Sequence, residues 1–144
     1  MFGDVKELIS WIESQKRIVP KTSLQKMLSL CEVFGSPQNK IKCVHVGGTN
    51  GKGSTVSFIK TVLMKAGYQV GTYVSPYVIS FNERIQYNDH YIADEDVLRI
   101  GNQIISKYDE IERRGIVHPT FFEFITLMAF IYFSECKDLD IVIL

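Results

Sequence analysis

With 144 residues and a hydrophobic content of 46%, the chain is long enough, and apolar enough, for one ordinary globular domain with a core of its own. Lysine plus arginine and aspartate plus glutamate balance at 16 each, so no net field recruits nucleic acid, while a small anion held locally stays compatible with the charge. Cys31, Cys43 and Cys136 form no CxxC pair and the histidines do not cluster with them, which argues against a zinc site or a disulfide framework and fits a reducing cytoplasm.

The N-terminal MFGDVKELIS carries acidic residues and no long apolar run, so it does not read as a signal peptide. Residues 4–15 read as a helix with Val5, Leu8, Ile9 and Ile12 on one face. Thr22 or Ser23 caps a second helix with Leu24, Met27, Leu28, Cys31 and Phe34 as its apolar positions, and Gly35-Ser36-Pro37 ends it. Ile41–Val46 is short, apolar and β-branched, and reads as a buried strand. Glycines follow at once, then a helix over Ser54–Ala66 and a second strand at Val70–Val74. Ser75–Phe81 is a loop, and Arg84–Ile92, with Asn88-Asp89 inside it, reads as a small hairpin. Asp94 caps one long helix running to about Arg114. Thr120–Glu135 is an aromatic-rich helix; its stretch Phe121–Phe133, interrupted by Glu123, falls short of the roughly 20 apolar residues of a membrane span. Asp140–Leu144 is a third apolar strand.

This order implies an α/β fold, a parallel sheet with helices on both faces and ligands beyond the carboxyl ends of the strands. Residues 1–40 read as a helical lead-in and 41–144 as the sheet-bearing part.

The segment Val46-Gly47-Gly48-Thr49-Asn50-Gly51-Lys52-Gly53-Ser54-Thr55 lies between a predicted strand and a predicted helix, the setting of a phosphate loop. Glycines let backbone N–H groups approach phosphate oxygens, the helix aims its positive end there, and Lys52 adds a full charge. The match to G-x-x-x-x-G-K-[ST] is imperfect: Val46 replaces the first glycine, Gly53 stands where a magnesium-binding hydroxyl is usual, and Ser54 arrives one residue late. A metal ligand must then come from elsewhere, and Ser75, at the end of the next strand, is the candidate. His45 reads as a core histidine in preference to a catalytic one, and His90 and His118 as loop residues.

Four stretches resemble the folylpolyglutamate synthase/dihydrofolate synthase family of the Mur-ligase superfamily. They are PQNKIKCVHVGGTNGKGST (37–55), SPYVISFNERI (75–85), TFFEFITLMAFIYF (120–133) and DLDIVIL (138–144). Gly47 replaces a commoner Thr or Ala, and Tyr77 stands where His is usual, near the folate. The family's glutamate in Glu-Val-Gly-x-Gly-Gly, its carbamylated lysine, a further magnesium-binding histidine and its C-terminal glutamate-binding domain would follow Leu144, so the expectation is an N-terminal part that is inactive alone.

The resemblance implies a cytoplasmic ligase using ATP and Mg2+ to join L-glutamate to folate or dihydropteroate through an acyl phosphate. It implies small-molecule partners, with no nucleic acid or membrane among them, and a monomer. Lys52 would act in catalysis, and Gly48, Thr49, Asn50, Gly51, Lys52, Gly53, Ser54 and Thr55 would hold the nucleotide. Ser75 would bind magnesium. Tyr77, Phe81, Arg84, Phe121, Phe122 and Glu123 would face the pterin substrate, with Phe81, Phe121 and Phe122 stacking on its ring. The aromatics have a competing role as core, and Glu123, costly to bury alone, has a structural partner such as Arg84 as its alternative. A stand-alone nucleotide-binding module and another Mur-type amide ligase are the competing identities, and the Phe-Asn-Glu-Arg-Ile stretch favours the folate branch over the cell-wall branch.

Overall fold

The computed structural model describes residues 1–17, 23–48, 51–74 and 79–144. In chain order the elements are α1 (Val5–Glu13), α2 (Leu24–Val33), β1 (Cys43–Val44), α3 (Lys52–Lys65), β2 (Val70–Tyr73), β3 (Ile85–Tyr87), β4 (His90–Tyr91), α4 (Asp94–Ile105), α5 (Tyr108–Arg113), α6 (Phe121–Glu135) and β5 (Ile141–Ile143), with 3-10 turns at Pro37–Lys40 and Phe81–Arg84. They divide into two compact units, one of Met1–Asn39 and Asp94–Tyr132 and one of Lys40–Ala93 and Phe133–Leu144. The helical unit thus takes in Asp94–Tyr132, which the sequence pattern groups with the sheet.

In the first unit, the Asp4 side chain accepts from the Lys6 N–H at the start of α1, and Leu8 and Ile12 are fully buried. Gly101 brings α1 and α4 together, since a Cβ there would lie 2.4 Å from Leu8 Cδ2. Ser23 is the cap of α2, its hydroxyl accepting from the Lys26 N–H at 3.1 Å. The buried face of α2 differs from the expected one. Leu24 is 77% exposed and Leu28 39%, while Leu30, Cys31 and Val33 are buried. The reason is Lys26, which points inward to Glu123 and shares a face with Leu30 and Val33 at helical spacing. The long helix expected from Asp94 to Arg114 is two helices. After Ile105 the Ser106 hydroxyl donates to the Gln103 carbonyl at 2.6 Å, competing with the helical ladder, and α5 begins at Tyr108.

The second unit is a five-stranded sheet of order β1-β5-β2-β3-β4. β1, β5 and β2 run parallel as expected, and the expected hairpin, β3 and β4, continues the same sheet antiparallel. His90, expected in a loop, lies in β4. β5 pairs with β1 on one side and β2 on the other, which makes it the central member of the parallel trio. Val70 and Ile143 share one face with Val56 of α3, and on the other face Phe133, in the last turn of α6, lies against Gly71. Helical residues therefore cover both faces within this unit. Asn88, at φ 53°, turns the hairpin and pins it to β2: its side-chain oxygen accepts from Val70 N at 2.8 Å and its own N–H donates to Val70 O at 2.6 Å.

The cysteines are free. Burial pushes the Cys31 thiol up to about 11, and Cys43, though exposed, is also raised by partial desolvation. With a thiol reagent at neutral pH, Cys43 should therefore label while Cys31 waits for unfolding; equal native-state rates at the two sites would contradict the burial of Cys31. No helix among the described residues is long and apolar enough to cross a membrane.

Candidate nucleotide-binding site

β1 is the strand that delivers the glycine segment, and it is shorter and more open than its apolar sequence suggests. Cys43 and His45 are exposed, because β1 pairs only with β5 among the described residues. Its ladder nevertheless continues to the glycines: Leu144 N donates to Val44 O and Val46 N to Leu144 O, both at 2.8 Å. Val46 packs with the cluster of Val56, Val70 and Ile143, so the strand end is anchored from one face.

Two backbone conformations that favour glycine then redirect the chain. Gly48 has φ 138° and Gly51 has φ 76°. Gly51 is the N-terminal cap residue of α3 and offers no side-chain hydrogen bond. The helix starts at Lys52, two residues earlier than the pattern suggests, because the left-handed glycine lets it begin directly. The first ladder bond of this turn is Thr55 N to Gly51 O at 3.0 Å. The N–H groups of Lys52, Gly53 and Ser54 precede it and have no acceptor within the helix. Three amides, the positive end of a helix of 14 residues and the exposed Lys52 side chain thus converge where an anion is favoured. Thr49 and Asn50 lie outside the described residues. Val56 anchors α3 on the sheet, and Lys60 ties it to the hairpin, its Nζ 3.1 Å from Asp89 Oδ1 and 3.3 Å from Gln86 Oε1.

The other sequence candidates divide by burial. Ser75 and Tyr77 lie outside the described residues. The strand that leads to Ser75 is not the neighbour of β1, since β5 intervenes. Among the described residues no group of three or more His, Cys, Asp or Glu could hold a metal ion, and Gly47–Thr55 offers hydroxyls but no carboxylate. These residues alone do not make a magnesium site.

Phe81 is 4% exposed and Phe121 7%, with the Arg17 guanidinium 3.8 Å over the Phe121 ring, so both rings belong to packed interiors. Phe122 is 59% exposed. Asn82 and Glu83 hold their own loop: Asn82 Nδ2 donates to Ile92 O at 2.7 Å, and Glu83 Oε1 accepts from Ile79 N and Ser80 N. Arg84 is buried, and its carbonyl accepts from Val74 N. Glu123 is engaged with Lys26 at 2.7 Å, where the sequence suggested Arg84, and also accepts from Thr120 N at 2.9 Å.

No protein-family model matches the chain. A dihydrofolate synthase/folylpolyglutamate synthase of Bacillus subtilis is 43% identical over 143 residues, covering 99% of this chain and 33% of that protein. Over nearly its whole length the chain is similar to the folylpolyglutamate synthase/dihydrofolate synthase family. Solved members agree in fold: the folylpolyglutamate synthase of Thermotoga maritima superposes with a TM-score of 0.85 at 37% identity, covering 96% of this chain and 32% of that one. A folylpolyglutamate synthase solved with folate and the ATP analogue AMPPCP superposes with a TM-score of 0.90 at 31% identity, covering 98% of this chain and 34% of the other. The chain therefore spans about a third of the length of these relatives.

Sequence reasoning missed Lys26, the residue that occupies Glu123. The signal available was a lysine three and four residues from Ser23 and Leu30, on the same helical face as Leu30 and Val33.

Proposed function

We propose that this chain carries the nucleotide-binding part of an ATP-dependent ligase that attaches L-glutamate to folate or dihydropteroate. The observation supporting it most is the passage from β1 through Gly48 and left-handed Gly51 into a helix opening on Lys52, in a chain 43% identical to the Bacillus subtilis enzyme. A carboxylate is a poor electrophile, so amide formation needs it activated. Phosphorylation by ATP to an acyl phosphate supplies that activation, and the glutamate amine then displaces phosphate.

The work of the loop is positioning and charge neutralisation. The N–H groups of Lys52, Gly53 and Ser54 hold phosphate oxygens, the Lys52 ammonium offsets charge at the β- and γ-phosphates, and the Ser54 and Thr55 hydroxyls add donors. Gly48 and Gly51 turn the backbone there, and Thr49 and Asn50 keep their assignment to the nucleotide. Ser75 is assigned to magnesium and Tyr77 to the folate side. Phe122, the exposed ring, keeps the stacking role; Phe81, Phe121 and Glu123 serve the packed interior.

Titration of the purified chain with AMPPCP by calorimetry tests the reading. Lys52→Ala should weaken binding by about tenfold or more, as loss of a charge-assisted contact would. Unchanged affinity removes Lys52 from the site, and an unresponsive parent chain removes the nucleotide reading. The competing reading is a nucleotide-binding module without ligase turnover. ATP- and glutamate-dependent lengthening of a folate by the same preparation separates the two.

A further inference from the structure

Resting on that nucleotide-binding reading, we propose that His45 is a second phosphate-contacting side chain of the loop, donating an imidazole N–H to a phosphate oxygen from the sheet face opposite α3. Side chains alternate along an extended strand. Val46 packs on the α3 side with Val56 and Val70, so His45 and Gly47 look to the other side. The ring is exposed and has no hydrogen-bond partner among the described residues. It lies edge-on to the loop: a Cβ built on Gly47 would sit 3.3 Å from His45 Nε2 and 3.7 Å from Cδ2. A side chain at 47 would press on the nitrogen edge of the ring, and glycine there leaves it room.

The position is chemically apt. His45 stands at the carboxyl end of a parallel strand, where ligands of such sheets bind. Within Gly47–Thr55 the only cationic side chain is Lys52. A triphosphate carries more negative charge than one ammonium offsets, so a donor from the opposite face complements the helix end. A core histidine, the reading favoured by the apolar strand sequence, is excluded by the exposure of the ring.

The test separates the donor from the ring. AMPPCP affinity is measured by calorimetry for the parent chain, Lys52→Ala, His45→Ala, His45→Phe and His45→Gln. His45→Ala and His45→Phe should each weaken binding about tenfold, while His45→Gln, which keeps an N–H donor without the ring, should stay within about threefold of the parent. Parent-like affinity in His45→Phe assigns the ring to packing alone and overturns the inference, as does parent-like affinity in His45→Ala. If Lys52→Ala loses affinity while all three His45 variants retain it, this inference falls and the nucleotide reading stands. If the parent chain does not bind AMPPCP, both fall. Because His45 is exposed on an open strand, its replacement leaves the core untouched, and matched thermal transitions of the variants check that.

Discussion

Lys26→Ala should cost this protein about 3–5 kcal/mol of folding stability, the range seen when one partner of a buried ion pair is removed. The Glu123 side chain is 2% exposed and that of Lys26 9%, with 2.7 Å between Nζ and Oε1. The same ammonium donates to the His118 carbonyl at 3.3 Å, and the same carboxylate oxygen accepts from Thr120 N at 2.9 Å. Thr120 Oγ1 accepts in return from Glu123 N at 3.3 Å, so the carboxylate also closes a reciprocal cap at the start of α6. Removing the lysine leaves a carboxylate buried with one backbone donor, and Oε2 has no hydrogen-bond partner among the described residues even before the change. Urea unfolding of Lys26→Ala, Glu123→Gln and the double variant Lys26→Met/Glu123→Leu checks this. Either single change should lower the midpoint sharply, and the double should recover much of the loss because no charge is then stranded. A single-variant loss below about 1 kcal/mol would place the pair among surface ion pairs and contradict its burial.

That pair also explains where the sequence was legible and where it was not. Elements whose local signals agree were read to within a residue or two. Asp4 and Ser23 cap the helices they precede, and Asn88-Asp89 turns a hairpin, because the chemistry of caps and turns is local. The glycine segment was legible for the same reason, since glycine takes the φ values at Gly48 and Gly51 without strain. What failed depends on partners distant in sequence. The periodicity of α2 favoured Leu24 and Leu28, but a lysine with a buried acceptor 97 residues away outranks an apolar stripe and rotates the helix. His45 looked interior because its strand is apolar, yet burial of a strand depends on its place in the sheet, and β1 lies at one end of the order. The place of β5 between β1 and β2 is a crossover that no local pattern encodes, and it separates the strand before Ser75 from the strand before the glycine loop.

The second large effect is expected at Gly71, in the middle of β2. Gly→Ala inside a strand ordinarily gains from reduced freedom of the unfolded chain, by about 0.4–1 kcal/mol. Here the added Cβ would meet Phe133 Cε1 at 2.5 Å, Cδ1 at 2.9 Å and Cζ at 3.1 Å. The ring cannot swing aside cheaply: Phe133 is 1% exposed, and the backbone beneath it is held on both sides, since Gly71 pairs with Val142 of β5 and Tyr87 of β3. Overpacking of this kind costs about 1–3 kcal/mol, which outweighs the entropic gain. Gly71→Ala should therefore be destabilising in urea unfolding. Phe133→Leu alone should also destabilise, by removing ring contacts, but combined with Gly71→Ala it should cost less than the sum of the two, because the smaller side chain vacates the space the new methyl needs. Strict additivity would mean that ring and glycine do not meet. A stabilising Gly71→Ala would mean that β2 shifts freely, which its pairing on both edges opposes.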